Sequence, residues 1–176
     1  MSRDISIGLG RLRVGPRPRG GDWLATDLAY LKSEGFSFIV SLLTGGEEVE
    51  LELAEESSIC AHLGLDFYSF PIIDRATPSD RGAFEELAKL LLTRLLRGEV
   101  GFLHCRAGLG RAPLLACTIL FSHGMPIKQA WTITENSRGQ PVPDTEAQRN
   151  WPRATPSPLT LEDALSQLRL DSDSQL

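Results

Sequence analysis

The sequence predicts a single α/β domain with a mostly parallel central sheet flanked by helices. Short apolar, β-branched or aromatic runs alternate with longer stretches of helical periodicity, which is the pattern of strands connected by crossover helices. Glycine and proline fall between the runs rather than within them. The chain has 176 residues, of which 41% are hydrophobic and 23% charged, enough for one core without disulfides or metal.

The elements follow in order. ISIGLGRLRV (5–14) reads as one strand or a small hairpin, broken by PRPRGG. Asp22 is the expected cap of a helix through WLATDLAYLKSEG, with Trp23, Leu24, Leu28 and Leu31 on one face and Gly35 at its end. FSFIVSLL (36–43) has the composition of a buried strand. One acidic helix is expected across EEVELELAEESSICAHLG, then a strand in DFYSFPI (66–72) and a loop in IDRATPSD. Ser79 or Asp80 starts a helix carrying Phe84, Leu87, Leu91 and Leu95, closed by Gly98. VGFLHC (100–105) is a strand, and RAPLLACTILFSHG is apolar on nearly every side, as a central buried helix would be. Pro126 suits the first turn of a helix through IKQAWTITENS. DTEAQRNW is a short helix capped by Asp144 and stopped by Pro152. Residues 1–152 form the expected domain, and 153–176 a C-terminal extension with a helix from Thr160 (Leu161, Ala164, Leu165, Leu168) and a disordered tail.

Composition narrows the function. A net charge of −5 argues against a general nucleic-acid or anionic-membrane binder, so affinity for phosphate has to be built locally. No apolar run is long enough to span a bilayer, and MSRDISIGLGRLRV lacks the apolar region of a secretory signal. Three scattered cysteines, Cys60, Cys105 and Cys117, make no disulfide framework, so the expected location is the cytoplasm. Oligomeric state is open.

The stretch HCRAGLGRAP, His104 to Pro113, carries the chemistry. GLGR occurs twice, and the first copy, Gly8 to Arg11, reads as a plain turn. The second follows a strand that ends in Cys105, has Arg111 six positions on and opens directly into an apolar helix. That order places the loop at the carboxyl end of a strand and the amino end of a helix, where open α/β sheets bind ligands. Backbone N–H groups of Arg106, Ala107, Gly108, Leu109 and Gly110 would converge into an anion nest, drawing a cysteine at its base toward thiolate. Gly108 and Gly110 avoid Cβ clashes as the backbone curls, and the planar fork of Arg111 matches two phosphoryl oxygens. Arg106 and Leu109 flank the pocket, and Arg17 and Arg19 either border it or are solvated. A thiolate beneath phosphorus with an arginine clamp is poised for phosphoryl transfer.

Competing readings are weaker. A dinucleotide fingerprint fails because Pro113 stands at the third glycine position. Neighbouring strand residues point to opposite faces, so His104 and Cys105 neither share a metal ion nor form a Cys-His hydrolase pair. His104 is instead expected to orient the loop by hydrogen bonding from below, and Cys60 and Cys117 to be core. The leaving oxygen needs a proton donor. Asp74 follows an apolar strand on a loop able to reach the site, while Asp80, its rival, sits where a helix cap is needed.

Together these residues resemble the cysteine-dependent protein phosphatases of the dual-specificity and tyrosine phosphatase type, with signature H-C-x-x-G-x-x-R met by His104, Cys105, Gly108 and Arg111. The resemblance covers about residues 5 to 151 and is closest in kind to small bacterial members. It implies a phosphotyrosine phosphatase-like fold, a mobile acid loop around PIID, a phosphocysteine intermediate and no cofactor or metal. In SRGQPVPDTEAQ it implies a supporting glutamine, best matched by Gln148. Chain order separates this sequence from the low-molecular-weight phosphatases, whose signature precedes the acid, and from the rhodanese-like group, which lacks this acid and arginine spacing. Most members place Ser or Thr after the signature arginine; this chain has Ala112, as do the phosphatases of regenerating liver, which share GLGRAP. Their prenylation terminus is absent from DSDSQL. The implied substrate is a phosphorylated protein or small phosphomonoester, phosphotyrosine first and phosphoserine or phosphothreonine second. The alternative is a slow-turnover binding module, which Ala112 alone favours.

Overall fold

The structure, a computed structural model, describes residues 3–152. The expected helix from Thr160 and the DSDSQL tail lie outside the described residues.

Among the described residues five strands form one sheet in the order β1-β2-β5-β3-β4. They are β1 (Ile5–Ile7), β2 (Gly10–Pro16), β3 (Phe38–Ser41), β4 (Asp66–Ser69) and β5 (Val100–Cys105). Only β1 is antiparallel to its neighbour; β2, β5, β3 and β4 run parallel. The ISIGLGRLRV stretch is thus a hairpin, and its GLGR copy supplies the turn, with Gly8 at φ 59°. The central position of β5 follows from its composition, since Gly101 to Cys105 are all buried.

Helices cover both faces. On one, α4 (Arg81–Leu96), α5 (Arg111–Ser122) and α6 (Ile127–Arg138) enclose a core that includes Val14, Val40, Leu103, Phe84, Leu91, Leu115, Cys117 and Trp131. On the other, α1 (Leu24–Ser33) and α3 (Glu56–Leu63) pack Leu24, Leu28 and Cys60 against Ile39 and Phe102. Two short helices, α2 (Gly45–Glu50) and α7 (Glu146–Asn150), lie in the connections. Cys60 and Cys117 are core, as expected. Among the described residues no helix is long and apolar enough to cross a membrane.

Three local expectations need correction. Asp22 does not cap α1: it lies in a 3-10 turn (Gly21–Trp23), and Trp23, expected on the buried face, is exposed beneath the Arg19 guanidinium. The single acidic helix is two, α2 and α3. Glu52 adopts a left-handed φ of 57°, and the Leu53 N–H closes back on the Glu48 carbonyl at 2.8 Å, which turns the chain and buries Leu53. The cap of α7 is Thr145, whose hydroxyl accepts from the Gln148 N–H; Asp144 instead pairs with Arg75 at 3.5 Å.

Candidate active site

The parallel strands end together. Pro16 of β2 is in register with Cys105, and Gly15 and Ser41 with His104, so the loop after β5 emerges between β2 and β3 at the carboxyl edge of the sheet. Cys105 is buried at its base and Arg111 opens α5. Gly108 has φ 69°, and a Cβ there would stand 2.4 Å from the Gly15 carbonyl. A Cβ on Gly110 would stand 2.8 Å from Gln148 Oε1. Gly108 is therefore fixed by its backbone conformation and by close approach to the backbone of β2, whereas Gly110 leaves room for the buried side chain of Gln148.

A loop whose N–H groups converge must turn its carbonyls outward and find donors for them. Arg138, at the end of α6, is that donor. Its Nε donates to Gly108 O at 2.8 Å, Nη2 to Ala107 O at 3.4 Å and Nη1 to Val14 O on β2 at 3.0 Å. Burial lowers the guanidinium's pKa, and the nearby Cys105 opposes that shift. Arg138 lies in the SRGQPVPDTEAQ segment, which sequence reasoning read for its glutamine alone.

Arg111 is 1% exposed, and its fork is already engaged. Nη1 donates to Glu47 Oε2 at 2.7 Å, Ile72 O at 2.9 Å and Leu42 O at 3.3 Å; Nη2 donates to Glu47 Oε1 at 2.9 Å and to Asp74 Oδ1 at 2.8 Å. Glu47 thus holds the guanidinium bidentately. It is itself fixed by a capping box at the start of α2: Thr44 N donates to its Oε2 at 3.0 Å, and its own N–H donates to Thr44 Oγ1 at 3.3 Å. Burial would raise the Glu47 carboxyl, but Arg111 and Thr44 hold it down to about 2. Burial likewise works against the Arg111 cation, yet Glu47, Cys105 and Asp74 raise its pKa overall. Sequence reasoning missed Glu47 among many acidic neighbours; a Thr three residues ahead of a Glu was the available signal.

Asp74 meets Arg111 with its side chain 58% exposed, on the outer side of the site. Its loop is tied down at several points. Ala76 N donates to Ile73 O at 3.0 Å, Arg75 takes φ 62°, and Gln148 Nε2 donates to Ala76 O at 2.9 Å. Asp80 is a helix cap, accepting from Ala83 N at 3.0 Å, and is not part of the site. Gln148 is buried beside Gly110, and its Oε1 has no hydrogen-bond partner among the described residues.

Other expected residues divide. Ala112 is fully buried behind Arg111. Arg106 is paired with Glu50, and Leu109 is half-buried at the rim. Arg17 reaches the loop by its backbone, Arg17 N donating to Arg106 O at 3.5 Å, whereas Arg19 is committed to Asp27. His104 does not hydrogen-bond the loop. Its ring lies on the other face of β5, stacked on Phe102 and against Glu56, because strand neighbours alternate; Arg138 does the orienting expected of it.

Residues 22–131 match the family model of Cyclin-dependent kinase inhibitor 3. The chain belongs to that family. It is 30% identical over 126 residues to Cyclin-dependent kinase inhibitor 3 of Mus musculus, covering 71% of this chain and 59% of the mouse protein. The chain therefore spans less than two thirds of the length of that relative. It is also 35% identical over 78 residues to Protein tyrosine phosphatase PRL-1 of Leishmania major, covering 39% of this chain and 43% of that one. A solved structure of kinase associated phosphatase, with its catalytic-site cysteine replaced by serine, superposes with a TM-score of 0.71 at 23% identity, covering 86% of this chain and 92% of that one. The family lies within the cysteine-dependent tyrosine and dual-specificity phosphatases, and the fold is theirs.

Proposed function

We propose that the protein is a phosphomonoester hydrolase acting on phosphotyrosine in proteins, with phosphoserine and phosphothreonine as further substrates, through a phosphocysteine intermediate. The observation that carries this reading is the meeting of Asp74 with Arg111 at 2.8 Å. It brings a carboxyl group from a separate loop to the arginine of the Cys105 loop, where nucleophile, anion clamp and acid are all required.

In the first step the Cys105 thiolate attacks phosphorus and the bond to the leaving oxygen breaks. Asp74 gives that oxygen its proton. Loop N–H groups from Arg106 to Gly110 and the Arg111 fork hold the remaining phosphoryl oxygens. Phosphate takes the place of Asp74 on Nη2, and the displaced carboxyl is then beside the leaving group. In the second step the Asp74 carboxylate takes a proton from water, the water oxygen bonds to phosphorus, and the P–S bond breaks to return the thiolate. The unpartnered Oε1 of buried Gln148 supports a role in aiming that water. None of these steps calls for a metal or cofactor.

The names of two relatives tie those proteins to kinases, which supports a phosphorylated protein, a kinase included, as substrate here. Three free cysteines support a reducing, cytoplasmic location. Hydrolysis of p-nitrophenyl phosphate tests the reading. Cys105→Ser should abolish turnover, and Asp74→Ala should lower kcat by about 10²-fold or more. Equal rates in wild type and both variants would overturn it.

A further inference from the structure

The stretch from Cys105 to Arg111 carries two arginines, and α2 meets both of them. Arg111 pairs with Glu47, and Arg106 pairs with Glu50. The two glutamates are three residues apart, so they share one face of the helix. Glu47 also has a local task in the capping box, whereas Glu50 ends α2, where the last carbonyls disfavour a carboxylate. The Arg106 guanidinium offsets that cost.

The end of α2 is held in place. Leu51 N donates to Glu47 O at 2.8 Å, and Gly21 N donates to Glu52 O at 3.0 Å. A Cβ on Gly20 would stand 1.9 Å from Leu51 O, so the loop after β2 packs directly against this corner. Glu50 is therefore presented to Arg106 by fixed backbone.

The two pairs differ in exposure. The side chains of Arg111 and Glu47 are 1% and 12% exposed, those of Arg106 and Glu50 38% and 62%. The inner pair is closed off where a phosphate would be clamped, and the outer pair meets solvent at the rim. Other arginines near the loop are engaged as well. Arg17 Nη1 donates to Pro18 O at 2.8 Å, Arg19 holds Asp27, Arg75 lies 3.5 Å from Asp144, and Arg138 binds the loop carbonyls. A second phosphate on a substrate, close to the one in the loop, thus meets Arg106 already neutralised, and the Glu50 carboxylate repels it. An exposed pair of this kind adds little to stability, so its consequence lies in selection.

We propose that Glu50 is a specificity-determining residue: by occupying Arg106 it restricts the site to singly phosphorylated peptides and rejects a second phosphate beside the first. This rests on the phosphatase reading of the Cys105 loop, but binding to the Cys105→Ser protein tests it without turnover. The probes are a phosphotyrosine peptide and the same peptide with phosphothreonine two residues before it. With Glu50 present, the singly phosphorylated peptide should bind at least as tightly as the other. Adding Glu50→Gln should tighten the doubly phosphorylated peptide about tenfold relative to the single one at low salt, and the gain should shrink at about 0.5 M salt. Most of that gain should vanish when Arg106→Met is also present. Glu52→Gln, which removes the same charge from the same segment, should leave the ratio as it is.

An unchanged ratio in Glu50→Gln would overturn the proposal, as would a gain that Glu52→Gln reproduces or that survives Arg106→Met in full. Equal weakening of both peptides would make Glu50 a support for α2 and overturn it as well. The phosphatase reading fails separately, if the wild-type protein does not hydrolyse p-nitrophenyl phosphate, and the two affinities then still decide the role of Glu50.

Discussion

Ala112 sits immediately after Arg111, the proposed phosphate clamp, fully buried at the first turn of α5. In the proposed reaction, a hydroxyl at that position would donate to the Cys105 sulfur and stabilise it as a leaving group in the second step; a methyl group cannot. The alanine therefore bears on the second step more than on phosphate binding, since the loop N–H groups and the arginine fork are untouched by it. Rapid-quench kinetics should show a burst of product equal to enzyme, followed by slow turnover. Ala112→Ser should raise the slow phase about tenfold, the effect of one hydrogen bond to a charged group. A linear time course that the substitution leaves unchanged would remove Ala112 as the cause of slow release.

At the scale of elements, the loop depends on a helix that lies far from it in sequence. The last turn of α6 delivers Arg138 to Gly108 O, Ala107 O and Val14 O, so it couples the loop to β2. Arg138→Met keeps the aliphatic stem and removes the donors. Its carbonyls released, the loop should misplace its N–H groups, with kcat/KM falling about 10²-fold and vanadate binding weakening in parallel. A fall in melting temperature with unaltered vanadate affinity would make the residue a prop for α6 alone.

The same scale explains what could be read from sequence. The strand, glycine turn and apolar helix around Cys105 were legible because their signals are local and contiguous: VGFLHC, then GLGR, then a helix buried on nearly every side. Asp74 was legible because it closes an apolar run at a strand's end. Arg138 and Glu47 were not, because each is one charged residue among many and its partner is chosen by packing across the fold. The break between α2 and α3 was hidden for a related reason. No glycine or proline marks it, and burial of Leu53 drives Glu52 into the left-handed region that a sequence pattern assigns to glycine.

At the scale of the molecule, the Glu47–Arg111 pair ties together segments that follow different strands. It joins α2, which follows β3, to α5, which follows β5, while Ile72 O and Leu42 O brace the same guanidinium. This makes acid stability a readout of site assembly. The Glu47 carboxyl is held down to about 2 from an ordinary value of 4.5. Its contribution is therefore fully present above 4.5, where the unfolded chain is also ionised, and is lost as pH falls from there through 2. Asp4 and Asp27, lowered beside their own arginines, slope the same way, whereas Glu48, raised by burial, slopes the other way. Comparison with Glu47→Gln isolates the single group. At pH 7 the variant should melt roughly 5 °C lower, because Arg111 retains Asp74 and two carbonyls but loses its bidentate partner. The gap should narrow steadily below pH 4.5 and nearly close at pH 2. A gap that stays constant from pH 7 to pH 2 would mean that the pair contributes shape but no charge, and that Arg111 is held in place by the carbonyls of Ile72 and Leu42.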